Sequence, residues 1–298
     1  MNNDYPISKT INTDVLVVRA GDSGMMAAAA ATEAGAKVTV VEKENKIGLL
    51  RLSNAAVGSN AQKRAGVTID KLDLVEYLAS FAHHNVDQKL LRVWANNSAE
   101  AVNWLENNIL KPNGAYMRAE PDAMVTSKNY RGFPTENDPT VDGKSYVSYG
   151  NWFVKWAKDH EIKINYRTSL VKLIKEANTV TGAIVHDLEK DEYYQINASK
   201  GVILCTGGYS ANKELLKKWN PEALKKNVYN DSPRNDGAGI SAALEIGALR
   251  DQEPAECIFD RGLVKPGTTT DEMYYPTETF ENWLWIGSYP FLKVNLRG

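Results

Sequence analysis

Thr13-Asp14-Val15-Leu16-Val17-Val18-Arg19-Ala20-Gly21-Asp22-Ser23-Gly24, followed after a short interval by Ala34-Gly35-Ala36-Lys37-Val38-Thr39-Val40-Val41-Glu42-Lys43, is the stretch that decides the fold. Val15-Leu16-Val17-Val18 is a short β-branched apolar run of the kind buried on both faces of a sheet. Residues 25–34 are rich in Ala and Met, a helix-forming composition, and Gly35 supplies a C-terminal stop. Val38-Thr39-Val40-Val41 repeats the first pattern. Strand, glycine turn, helix and strand within about thirty residues make a βαβ unit with a right-handed crossover.

A turn of this kind that holds a dinucleotide reads Gly-x-Gly-x-x-Gly. Its glycines serve a tight turn, close backbone approach to pyrophosphate, and close packing of helix on strand. Residues 19–24 read Arg-Ala-Gly-Asp-Ser-Gly, so Gly21 and Gly24 are the second and third glycines and Arg19 replaces the first. Glu42 closes the second strand 21 residues after Gly21, where an acid binds ribose hydroxyls and disfavours a 2′-phosphate. Arg19 adds a Cβ and a long side chain at the point of closest approach, and the sequence predicts that it crowds the phosphates. The plain alternative is that the glycines serve packing alone and Glu42 is a surface acid.

Working outward, 298 residues with 43% apolar side chains can build a full core. With 35 basic and 37 acidic side chains intermixed, the chain carries no cationic footprint for nucleic acid. Cys205 and Cys257 have no paired spacing, so neither a disulfide framework nor a metal site is expected, and both read as buried thiols. His83, His84, His160 and His186 show no metal-binding spacing and read as surface or loop residues. Residues 1–13 are polar and no run reaches the ~20 apolar residues of a membrane helix, so the expected location is cytoplasmic.

Residues 70–82 and 87–107 carry apolar side chains at helical spacing, with Leu90, Leu91, Val93, Trp94, Val102, Trp104 and Leu105 expected on the buried side. Residues 111–143 are punctuated by Pro and Gly and read as a long excursion with little regular structure. Another helix is expected over 149–159. Strand patterns follow at 162–166, 169–175, 180–186 and 193–196, with a turn at Glu176-Ala177-Asn178, and Gly201-Val202-Ile203-Leu204-Cys205 reads as one further buried strand. Val15-Leu16-Val17-Val18, Val38-Thr39-Val40-Val41 and Val202-Ile203-Leu204-Cys205 are therefore predicted to be adjacent in one parallel sheet. Helices are expected over 212–219 and 237–247.

Lys200-Gly201-Val202-Ile203-Leu204-Cys205-Thr206-Gly207-Gly208-Tyr209-Ser210-Ala211-Asn212 and Asn235-Asp236-Gly237-Ala238-Gly239-Ile240 join the two opening stretches in one order along the chain. On these residues the sequence resembles the FAD-binding flavoproteins of the fumarate reductase and succinate dehydrogenase group. The resemblance implies an α/β fold: a Rossmann-like FAD-binding domain with a parallel sheet, a small antiparallel β-meander and the beginning of a capping domain. It implies a FAD-binding domain over 1–252, with a helical and loop insertion at about 67–160, and the start of an incomplete capping domain over 253–298. Gly21 and Gly24 would lie against the FAD pyrophosphate, Glu42 and Lys43 near the adenosine ribose, Thr206 and Gly207 against the flavin half, and Asp236 and Gly237 close to the isoalloxazine. Asp22, Ser23, Gly48, Ser53, Asn54, Val171 and Gly208 complete the implied cofactor set. For Asp236 a helix N-cap is the alternative role.

The chain also departs from the pattern. Leu49-Leu50-Arg51-Leu52 stand where the group has a second glycine and polar residues, and Glu256-Cys257-Ile258 stand where fumarate reductases carry Gln-x-His. The proton-donating arginine of the group lies in a segment with no match here, so no catalytic residue can be named. The resemblance implies hydride transfer between flavin N5 and an activated C=C bond of a small substrate. An electron-donor protein or an FMN- or haem-bearing domain would serve as redox partner. Two other readings stand beside it: a truncated, non-catalytic remnant that binds flavin weakly or not at all, and a nicotinamide-dependent dehydrogenase. Residues 252–298 are expected to be loosely packed, or to form an oligomer contact through Trp283, Trp285, Tyr289 and Phe291.

Overall fold

The computed structural model describes residues 5–47, 53–121, 131–225 and 235–250. The expectations for Gly48, for Leu49 and Leu50, and for 252–298 lie outside these residues.

Strand β1, Ile7–Val18, leads through Arg19-Ala20-Gly21 into α1, Asp22–Glu33, and returns as β2, Val38–Val41. The α1 helix stops as its sequence requires. Gly35 is left-handed at φ 79°, its N–H reaches the Thr32 carbonyl, and the Ala36 N–H reaches Ala31, the paired bonds of a Schellman end. Helices α2 (Asn60–Arg64), α3 (Lys71–Phe81) and α4 (Gln88–Leu105) follow, then a π-helical turn, Glu106–Leu110. The Asp70 carboxylate caps α3 by accepting from the Leu72 and Asp73 N–H groups, and Asp87 caps α4 through Lys89. Strands β3 (Tyr116–Ala119), β4 (Asn137–Val141) and β5 (Lys144–Ser145) then form an antiparallel sheet in the order β3-β4-β5. This corrects the reading of 111–143 as nearly structureless: Pro139 stands within β4 opposite Met117, and prolines had marked the segment as broken.

After α5 (Gly150–Asp159) come β6 (Lys163–Asn165), β7 (Thr168–Glu176), β8 (Thr179–Asp187) and β9 (Glu192–Leu204), then α6 (Lys213–Trp219), α7 (Pro221–Lys225) and α8 (Ala238–Glu245). The main sheet has the order β6-β2-β1-β9-β8-β7. Strands β6, β2, β1 and β9 run parallel, while β8 and β7 close the far side as an antiparallel meander. The three apolar runs are adjacent as expected, with Val15 opposite Val38 and Leu16 opposite Val202.

Two expectations about strand length change. Residues 193–196 and 201–204 are not separate strands but parts of the 13-residue β9, which stops one residue before Cys205, and β1 begins at Ile7, inside the polar N-terminal stretch. The added half of β1 pairs with Tyr193 to Asn197 through backbone bonds, while its side chains, apart from the partly buried Ile11, stay exposed, so no apolar pattern announces it. The core lies on both faces of the sheet. Val17, Val38 and Val40 pack with Met25, Ala28, Ile109 and Phe153 on one face, and Leu16, Val18 and Val41 pack with Leu173, Ile196 and Ala242 on the other. On α4, Val102 and Leu105 are buried as expected, but Leu90 and Val93 are 68% and 59% exposed. Ala95, Val102 and Leu105 define the buried stripe, and Leu90 and Val93 point about a quarter-turn or more away from it. Cys205 is half-buried, not fully buried.

Candidate functional site

The carboxyl ends of β1, β2 and β9 converge on three turns: residues 19–24, 42–44 and 206–212. Such an edge of an open α/β sheet is where ligands bind. Gly21 occupies the N-cap of α1 in extended conformation, no side chain caps that end, and a Cβ on Gly21 would meet nothing within 4 Å. The first turn of a 12-residue helix is thus approached over a glycine with no side chain in the way. Gly24 has a different task. A Cβ there would overlap the Arg19 carbonyl oxygen and approach Cys205, so helix and strands close on each other only at a glycine.

Glu42, 1% exposed, turns its carboxylate into the first turn: Oε2 accepts the Ala20 N–H at 2.8 Å and Oε1 the Glu44 N–H at 3.0 Å. A carboxylate has about four acceptor positions, so two remain for further donors. Asp22 accepts a hydrogen bond from the Tyr149 hydroxyl at 3.0 Å. Burial, then the charge of Asp22, pushes the Tyr149 phenol far above its ordinary value, so it remains a donor. Ser23 hydrogen-bonds the Cys205 thiol, whose pKa burial raises; the thiol stays protonated at neutral pH.

Arg19, in the place of the first glycine, is left-handed at φ 84°. Its N–H bonds the Val41 carbonyl at 2.7 Å. The guanidinium Nη1 donates to the Thr206 carbonyl at 2.5 Å and to Asn235 Oδ1 at 3.1 Å. It lies 2.8 Å from the point where a Cβ on Gly207 would stand. Beside it, Lys43 Nζ pairs with Asp236 Oδ2 at 2.7 Å, and Asp236 Oδ1 accepts from Ala238 N–H at the start of α8. Burial raises the Asp236 pKa, but Lys43, the Ala238 N–H and Arg19 together hold it below the usual carboxylate range. The capping role and the site role of Asp236 coexist. However, Lys43 and Asp236, assigned by resemblance to the ribose and the isoalloxazine, are in contact here, so both stand at the end of β2. The cavity among Arg19, Lys43, Thr206 and Asp236 measures about 40 Å³.

A family model described as FAD binding domain matches residues 14–260. The chain belongs to the FAD-binding domain family. It is 31% identical over 247 residues to a fumarate reductase (cytochrome) of Shewanella frigidimarina, covering 80% of this chain and 41% of that protein. To a urocanate reductase of Eggerthella lenta it is 29% identical over 248 residues, covering 82% and 39%. The structure of the open conformation of a flavocytochrome c3 fumarate reductase superposes with a TM-score of 0.66 at 30% identity, over 82% of this chain and 42% of that one. The chain thus spans about two fifths of the length of these relatives.

The cofactor of the FAD-binding domain family is FAD, and the residues present fit it. Besides Gly21, the uncapped α1 and Glu42, Asn54 Nδ2 is buried with no partner at full hydrogen-bond geometry and faces the Tyr149 hydroxyl beside Asp22, while the Asn54 backbone is tied to Asn137 at 2.8 and 3.0 Å. Val171 falls at a bulge between Leu170 and Lys172 of β7, where the ladder to β8 skips a residue. Its backbone is therefore left out of the ladder pairing. Gly208 accepts from the Gly237 N–H at 3.1 Å, which joins the last two turns.

Ser53 donates to Glu136 at 2.9 Å. Sequence reasoning missed Tyr149, which reaches Asp22 across 127 positions and carries no local motif, and missed the Arg19–Asn235 contact. It also missed Asp138, 0% exposed in β4 with neither carboxylate oxygen partnered. Among the described residues no group of His, Cys, Asp and Glu could hold a metal, and no helix is long and apolar enough to cross a membrane. Three of the four histidines are exposed and His186 is half-buried against Tyr193.

Proposed function

We propose that this chain is the FAD-binding part of an FAD-dependent oxidoreductase of the fumarate-reductase type. Bound FAD supplies hydride exchange at N5 with a carbon–carbon double bond activated by a neighbouring carbonyl or carboxylate. The observation that carries the reading is the glycine turn that closes α1 onto β1 and β9, with the buried Glu42 at its flank, inside a family match covering most of the chain. Glu42 would bind the ribose hydroxyls and the N-terminal turn of α1, which no side chain caps, the pyrophosphate. Tyr149 orients Asp22 beside that helix end, and the Val171 backbone offers polar contacts along the wall. The proposed domain boundaries are 1–252 for the FAD-binding domain, with an insertion at 67–160, and 253–298 for the start of a capping domain. The proposed redox partner is an electron-donor protein or an FMN- or haem-bearing domain, a proposal supported by relatives named as cytochrome enzymes.

A second reading, a flavin-binding chain without turnover, is favoured by the links that Arg19 and Lys43 make across the cradle. Absorption spectra test both. Protein incubated with FAD and desalted should retain flavin bands near one equivalent, and after chemical reduction the bands should return on adding fumarate or urocanate. Failure to retain flavin sinks the first reading; retention without reoxidation by such acceptors supports the second.

A further inference from the structure

Aspartates at helix starts and turns of this protein bond the nearest backbone N–H groups. Asp70 accepts from Leu72 and Asp73, Asp87 from Lys89, Asp187 from Glu189 and Lys190, and Asp236 from Ala238. That is the local preference of a short carboxylate side chain. Asp22, the first residue of α1, breaks the pattern. Its Oδ1 accepts from the Tyr149 hydroxyl at 3.0 Å, across 127 positions of chain. Tyr149 has little freedom to let go, being 1% exposed, placed at the N-cap of α5 and packed in the core that holds Met25 and Phe153. Asn54 Nδ2 faces the same hydroxyl, and burial and the Asp22 charge both keep the phenol protonated.

A carboxylate in the first turn of a helix is drawn to the same positive end that holds a pyrophosphate. An aspartate following its local preference there would occupy the N–H groups that the pyrophosphate needs and would set a like charge beside it. We infer that Tyr149 is a positioning residue for FAD: its hydroxyl holds the Asp22 carboxylate off the first N–H groups of α1 and so keeps that turn available to the pyrophosphate. The inference deepens the FAD reading and rests on it. In the opposing case the bond is a plain tie between α5 and α1. An asparagine at position 22 would make that tie equally well, so the two cases part on the charge.

Titration of FAD into the full chain and its variants, followed by flavin fluorescence at low ionic strength, separates them. Tyr149→Phe keeps the buried ring and removes only the hydroxyl. It should weaken FAD binding by about tenfold, and the loss should shrink in added salt, which screens the released charge. Asp22→Asn should bind FAD at least as tightly as the unaltered chain, and adding Tyr149→Phe to it should cost no more than about twofold. Unchanged affinity in Tyr149→Phe overturns the inference, as does an equal loss in the Asp22→Asn background, which would make Tyr149 a packing residue. A loss of about tenfold in Asp22→Asn alone overturns it too, because Asp22 is then itself a ligand. If Tyr149→Phe does not fold, Asp22→Glu decides: the longer side chain carries the carboxylate past the hydroxyl and should weaken FAD binding, and affinity equal to the unaltered chain overturns the inference. An unaltered chain that binds no FAD sinks the FAD reading itself, and the inference with it.

Discussion

Asp138 is a carboxylate buried with no hydrogen-bond donor on either oxygen. Burial, then the charge of Glu136, pushes its pKa from 3.8 up to about 6, and Ser53 and Arg118 pull it only partly back. The Ser53 proton is in fact given to Glu136, so it does little for Asp138. Glu120 and the Tyr146 phenol, itself pushed up to about 12, also face this cluster and donate nothing to Asp138. Because the folded value is raised, the contribution of Asp138 to stability is fully present below about pH 3.8 and is lost as pH rises through about 6. Urea unfolding of the unaltered chain should therefore show a loss of about 2 kcal/mol between pH 4.5 and 7.5 relative to Asp138→Asn. Parallel pH profiles for the two proteins would show that the carboxylate finds a partner. At this scale the sequence shows Gly24 and Glu42 plainly, since each answers to a local rule. It cannot show Tyr149, the Val171 bulge or Asp138, whose roles come from residues distant along the chain.

Among the elements, the π-helical turn at Glu106–Leu110 carries a buried ion pair. Glu106, 1% exposed, accepts from Arg64 at 2.6 Å and from the Met117 N–H, and Arg64 also donates to the Met117 carbonyl. One ion pair thus holds α2, the turn and β3 together. Arg64→Ala leaves a buried charge with only the Met117 N–H as donor and should lower unfolding free energy by about 3 kcal/mol, whereas the paired change Arg64→Met with Glu106→Leu should recover most of it. Equal losses in single and paired variants would mean that packing, not charge, sets the cost. On α4 the opposite holds: Leu90→Lys and Val93→Thr should each change stability by no more than about 0.5 kcal/mol, since both side chains already meet solvent. A loss of 2 kcal/mol from either would restore the burial that helical spacing suggested. Leu90, Leu91, Val93 and Trp94 occupy two faces of the helix, so spacing alone could not choose between them. The βαβ unit and the β7–β8 hairpin were legible because apolar runs and turn residues agree there. Strand β9 was not, because polar Asn197, Ser199 and Lys200 interrupt its apolar run while its backbone pairs on through them.

For the whole molecule, the cradle and the meander are not separable parts. Strand β9 begins opposite β8 in the meander, lies against β1 along its length, and delivers Thr206 to the ligand-binding edge. At about 3.3 Å per residue it spans roughly 43 Å. A strand shared by two substructures works as a mechanical beam: neither end can open without loading the other. Amide protons of Tyr193 to Ile196, remote from the cradle, should therefore exchange with deuterium more slowly when FAD is bound, and by a factor close to that seen at residues 202–204. Exchange slowed only beside Thr206 would divide the molecule into two independently breathing units. Uniform slowing would make the polar, exposed half of β1 a remote sensor of an event at the opposite end of the sheet.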